Sequence, residues 1–223
     1  MAKSFKSVAF DRHKARKELD DFSKLLSKKE WLDERNDVLP LFAKCDQLCL
    51  LIGMLNANMD VPNMIAQEYD IFGDFICDLA VGDSTRNAFT LVEFEDAKQS
   101  SLFCKKKYCP EWGPRFEHGF SQLVDWFWKL DETRQLPSMD DRFGKGNKTF
   151  NGLLVVGRSK PVGDRERRRI AWRQTYISIH SRPCEYLTFD ELYNRLSNKM
   201  QMLERVSSVS TSRGSSRVRA RVR

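Results

Sequence analysis

Asp74-Phe-Ile-Cys-Asp78-Leu-Ala-Val-Gly-Asp83-Ser-Thr-Arg-Asn87-Ala-Phe-Thr-Leu91-Val-Glu-Phe-Glu95 reads as two apolar strands joined by a polar turn. Residues 82–87 supply the Gly, Asp, Ser and Asn that turns favour, so strand 74–82 folds back beside strand 88–95. Side chains alternate across a strand, which puts Glu93 and Glu95 on one face, about 7 Å apart. By the same rule Asp74, Ile76 and Asp78 share one face of the first strand, and Phe75, Cys77, Leu79 and Val81 the other. A turn centred near Ser84 and Thr85 sets Asp78 within about two residues of the glutamate pair across the ladder. Acids on a strand face usually mark only its solvated side. Here the flanks are apolar on both faces, which predicts a central strand pair covered on both sides. Acids in such a place are costly unless a cation joins them, and hard oxygen ligands suit Mg2+ or Mn2+ better than zinc.

The 223 residues suit one α/β domain with a full core. An N-terminal helical segment (1–60) packed on a core (61–204) is expected, followed by a disordered basic tail (205–223). Of the net charge of +7, five charges come from Arg213, Arg217, Arg219, Arg221 and Arg223 in residues 206–223, which contain no acid. Such a Ser/Arg-rich segment buries no core and suits at most a screened, sequence-blind contact with nucleic acid or an acidic partner. No apolar run reaches membrane-span length and the first residues lack an apolar signal segment, so a cytoplasmic protein with no membrane partner is expected. The six cysteines have no CxxC spacing and read as reduced, mostly buried thiols; zinc at Cys104, Cys109 and His118 would have no recognised spacing.

Around the hairpin, residues 11–27 have helical spacing, and Ser27 with Glu30 resembles a capping box for a second helix. Residues 42–55 read as a third helix, and residues 64–71 as a strand preceding the hairpin. Pro114 opens a helix to about Leu130, with His118, Gln122 and Trp126 forming a stripe apart from its core face. Residues 133–149 read as a mobile loop, 151–156 and 175–179 as strands, and residues 164–169 as a charged loop. Thr188 and Glu191 cap a last helix whose Leu192, Leu196, Met200 and Leu203 face inward. The expected architecture is one mixed β-sheet with helices on its faces.

An acid in one strand, Glu-x-Glu in the next and Gln122-x-x-x-Trp126 on a helix resemble the PD-(D/E)xK nuclease superfamily. More narrowly, Gly73 to Asp83, Val92-Glu-Phe-Glu-Asp96, Phe116 to Trp126 and Thr188 to Leu192 resemble the nuclease domain of Shedu-type anti-phage defence proteins, over roughly residues 30–200. The resemblance implies a restriction-endonuclease-like fold and a Mg2+-dependent (or Mn2+-dependent) DNA endonuclease without an organic cofactor, working as a homo-oligomer. Asp78 and Glu93 would hold the metal, Glu95 would act as general base, and Gln122 would approach the catalytic centre. Asp74, Glu68 and Lys98 are further candidates, and His118 is expected to be packed. Glu95 stands where the superfamily usually carries lysine, and Lys98 is placed to substitute for it. Lys105 to Lys107, Arg158 and Arg165 to Arg169 are candidate phosphate contacts. The Glu95 departure also admits a catalytically degenerate module for DNA binding, sensing or oligomerisation.

Overall fold

The hairpin over residues 74–95 forms the centre of a six-stranded sheet in the computed structural model of the chain. Residues 4–179, 181–182 and 184–219 are described, with side chains as far as residue 205. The N-terminal part comprises β1 (Lys6–Ser7), α1 (Arg12–Lys28), a π-helical turn (Glu34–Val38), α2 (Leu39–Lys44) and α3 (Asp46–Gly53). Next come β2 (Met64–Ile71), β3 (Phe75–Asp83), β4 (Ala88–Phe94) and the short β5 (Phe103–Cys104) and β6 (Glu111–Trp112). Then follow α4 (Pro114–Glu132), α5 (Pro137–Phe143), β7 (Thr149–Val155), α6 (Asp164–Tyr176), β8 (Cys184–Leu187) and α7 (Phe189–Arg219).

The sheet order is β1-β2-β3-β4-β7-β8. Its first four strands are antiparallel, whereas β4–β7 and β7–β8 pair in parallel. A parallel return needs a crossover, and α4 with α5 supplies it between β4 and β7. β4 is buried along its whole length, as a strand covered on both faces must be. On one face α1, α2, α3 and α7 close over Ile65, Leu79, Val81, Val92 and Phe94. On the other, α4 and α5 close over Ala66, Cys77, Leu91 and Leu154.

Strict alternation fails in the middle of β2 and β3. Cys77 belongs to the α4 face and Leu79 to the opposite one, although their spacing predicts a shared face. The ladder pairs Gln67 with Leu79 and Tyr69 with Cys77, and between them Glu68 adopts a left-handed φ of 46°. A left-handed residue turns the chain over, so both strands exchange faces at Glu68 and Asp78.

Elsewhere the helices differ from the expected ones. Ser27 does not cap a second helix: its hydroxyl donates to the Ser23 carbonyl within α1 at 2.8 Å. Asp33 instead caps the π-helical turn, accepting from the Asn36 N–H at 3.0 Å. The helix expected over 42–55 is divided at Cys45, and the supposed loop at 133–149 contains α5, pinned by buried Met139 and Phe143. Residues 164–176 form a helix, not a loop and strand; Asp164 and Glu166 occupy its first turn, where the helix dipole favours acids. The outer strand is therefore β8, not 175–179. The Thr188–Glu191 capping box is present, with Thr188 N–H on Glu191 at 2.8 Å and Glu191 N–H on Thr188 Oγ1 at 3.2 Å. α7 runs as helix to Arg219, through backbone that the sequence reading leaves disordered; an established helix propagates without a new nucleus. Residues 220–223 of that tail lie outside the described residues. No described helix is long and apolar enough to cross a membrane.

Candidate metal centre

Four elements converge near the start of β3 and the end of β4: the two strands, α4, and the π-helical turn at 34–38. The β3–β4 register pairs Leu79 with Val92, so Asp78 falls opposite Glu93, closer than a turn centred on Ser84 and Thr85 predicts. Asp78 accepts the Phe94 backbone N–H at 2.8 Å, its carboxylate taking the place of a ladder carbonyl. Glu93 and Glu95 point together toward α4, as their spacing requires. Gln122 donates its amide to Glu93 Oε1 at 2.6 Å. One turn earlier, His118 Nδ1 lies 2.6 Å from Glu95 Oε1, and Arg115 Nη1 lies 3.2 Å from Glu95 Oε2.

This approach depends on Gly119. A Cβ there would lie 2.4 Å from Leu154 Cδ1 and 3.2 Å from Glu95 Cγ, so any larger residue would force Leu154 or α4 itself to shift.

The acids lie at the junction of two recesses. The larger, about 1050 Å3, is lined by Glu34, Glu68, Asp78, Glu93 and Gln122 among others. The smaller, about 440 Å3, adds Lys98, Arg115 and His118. Glu93 is 6% exposed and Glu95 1%. Burial pushes the Glu93 carboxyl well above its ordinary range, and the negative charges of Asp78, Glu95 and Glu34 push the same way; the Gln122 amide opposes them only in part. Asp78 is raised by burial and, less strongly, by Glu34, Glu95 and Glu68, against the Phe94 N–H. Glu95 is raised by burial too, but His118 and Arg115 counter it.

Carboxylates crowded together and raised by burial are the donor set a divalent cation satisfies. Single ligand atoms of Glu93, Glu95 and His118 lie within 4.8 Å of one another, a grouping able to hold a metal ion. Asp78 is outside that tight group but lies beside Glu93 on the neighbouring strand, and both line the larger recess.

The other candidates divide clearly. Glu68 lines the recess, whereas Asp74 does not reach it: its carboxylate is paired with Lys129 at 2.5 Å. Lys98 lies at the margin, bound to Asp96 at 2.8 Å. Arg158 is removed from the phosphate contacts, because it clasps Asp190 at 2.8 Å and the Lys29 carbonyl at 2.7 Å, tying α1 to α7. Trp126 is core, 1% exposed, and its indole N–H has no hydrogen-bond partner. His118 is exposed, not packed, and Cys104 and Cys109 join no metal-capable group among the described residues. Sequence reasoning missed Arg115 and Glu34. The spacing of 115, 118 and 122 along one helix face was a usable signal for the first; nothing in the sequence points to the second.

Residues 16–193 match the family described as "Shedu protein SduA, C-terminal". No curated protein matches the chain.

Proposed function

Given that the chain belongs to the Shedu protein SduA C-terminal family, which suggests anti-phage defence, we propose that it is a metal-dependent DNA endonuclease of the PD-(D/E)xK type and a defence effector. Glu93 carries the reading: a buried acid beside acids, with a neutral amide as its hydrogen-bond donor.

In this reading Asp78 and Glu93 would hold Mg2+ or Mn2+, which would supply positive charge to the scissile phosphate and lower the pKa of the attacking water. Gln122 fixes the Glu93 carboxylate, and Glu95 accepts the water's proton. Glu95 is suited to that task because burial raises its proton affinity while His118, on its other side, opens to solvent and can pass the proton on. Arg115, 3.2 Å from Glu95, provides the fixed cation that the motif lysine would otherwise bring. DNA is the proposed partner, and assembly as a homo-oligomer is part of the same proposal.

Supercoiled plasmid incubated with the pure protein tests it. Nicking or linearisation is expected with Mg2+ or Mn2+, none with EDTA, and none with Glu93→Gln; full activity in that variant removes Glu93 from the site. The second reading, a catalytically degenerate module for DNA binding, sensing or oligomerisation, draws on Glu95 standing in the lysine position. It predicts an intact plasmid under every condition.

A further inference from the structure

Helix α6 buries none of its residues, yet it carries two large rings in solvent: Trp172, 59% exposed, and Tyr176, 70% exposed. Their centroids are 5.3 Å apart. Exposed aromatics side by side, in a chain that keeps most of its rings inside, mark a binding surface.

Of the five arginines of α6, Arg167 pairs with Asp164 within the helix at 3.7 Å, and the other four fall into two sets. Arg169 and Arg173 face inward: Arg169 lies over the Trp112 ring and donates to the Pro110 carbonyl, and Arg173 pairs with Glu117 at 2.8 Å and lies over Phe120. Arg165 and Arg168 form no ion pair among the described residues. Steps of three and four residues put 165, 168, 172 and 176 on one face, spanning about 16 Å of helix. A recess of about 600 Å3 lies between this face and Trp112. The nearby β5–β6 loop adds Lys105 and Lys107 to the local charge.

We propose that this outer face of α6 binds an unpaired nucleic-acid strand, with phosphates on Arg165 and Arg168 and bases stacked on Trp172 and Tyr176. Guanidinium groups match phosphate oxygens, and every base has a π-face to offer an aromatic side chain. A duplex keeps those faces inside its own stack, and an acidic peptide satisfies the arginines but not the rings. Two platforms one helical turn apart fit consecutive bases of a strand better than a lone nucleotide. In naming the form of nucleic acid, the inference rests on the DNA-cleavage reading. Its test excludes metal, so the two fail separately.

The full chain, in EDTA, is titrated into a fluorescein-labelled twelve-residue oligothymidylate and into a duplex of equal length, with fluorescence anisotropy as readout. The strand is expected to bind at least about tenfold more tightly than the duplex, and Trp172→Ala with Tyr176→Ala to weaken it about tenfold or more. Arg165→Gln with Arg168→Gln should flatten the salt dependence by about 0.7 in log–log slope for each phosphate that is no longer neutralised. Trp128→Ala, at another exposed tryptophan (56%), should change nothing. Circular dichroism melts establish that each variant folds. Unchanged strand binding in the ring variant overturns the proposal. So does equal affinity for duplex, equal competition by oligoglutamate, or a ring variant that instead alters the sedimentation coefficient, which would assign the face to a second copy of the chain. Lost plasmid nicking with intact strand binding would count against the cleavage reading alone.

Discussion

Gln122 is the only hydrogen-bond donor that reaches the Glu93 carboxyl among the described residues, and it is uncharged: its Nε2 lies 2.6 Å from Glu93 Oε1 while Asp78, Glu95 and Glu34 all disfavour a second negative charge there. In the absence of metal this glutamate therefore costs stability whenever the unfolded chain can ionise it. The sign follows from its raised pKa. Below the ordinary value of 4.5 both states are protonated and nothing is lost; as pH rises above it, only the unfolded chain gives up the proton, and folding is progressively penalised. Glu93→Gln should therefore raise the Tm of metal-free protein at pH 8 by a few degrees, about 2–4 °C per kcal/mol for a chain of this size, and leave it unchanged near pH 4. Melts across that range check it. The variant should abolish nicking at every pH.

Asp78 combines two roles that different substitutions separate. Its carboxylate accepts the Phe94 N–H inside the sheet, so Asp78→Ala leaves a buried donor unsatisfied, costing about 1–3 kcal/mol. Asp78→Asn retains an acceptor oxygen and should lose less. If Asp78 and Glu93 hold the ion as proposed, Mn2+ should raise the Tm of the wild type and of neither variant, because neither side chain neutralises a cation. A Mn2+ shift that survives in Asp78→Asn would move the ion away from β3.

The close packing of α4 predicts an effect at a residue with no chemistry of its own. Alanine normally stabilises a helix interior relative to glycine. At position 119 the added methyl would meet Leu154 and Glu95, so Gly119→Ala should destabilise by about 1–3 kcal/mol and separate Gln122 and His118 from their acids. Urea unfolding would show the loss of stability, and nicking rates should fall more than stability alone explains.

The hairpin was legible in the sequence because apolar runs bounded by Gly82 to Asn87 leave few alternatives, and two acids at i and i+2 must share a face. The exchange of faces at Glu68 was not, since a left-handed conformation in a non-glycine residue has no sequence mark. Residues 175–179 alternate like a strand, but the acids at 164 and 166 and the arginines after them favour a helix that runs on to Tyr176. Four residues, Cys184–Leu187, then take the edge of the sheet, a strand too short to carry a pattern. Glu34 meets Arg115 only through the tertiary fold, at 81 residues' separation, which periodicity cannot report.

His118 distinguishes a metal ligand from a proton carrier. Its Nδ1 is 2.6 Å from Glu95, and it also belongs to the close group with Glu93. If Glu95 passes its proton through this imidazole, His118→Ala should slow nicking by about 10- to 100-fold, within the range of a general acid–base contribution. It should leave the Mn2+-induced Tm shift near the wild-type value, because Asp78 and Glu93 keep the ion. Added imidazole should restore part of the rate. Loss of the Tm shift along with the rate would assign His118 to the ion itself, and the proton would then have to leave Glu95 by another route.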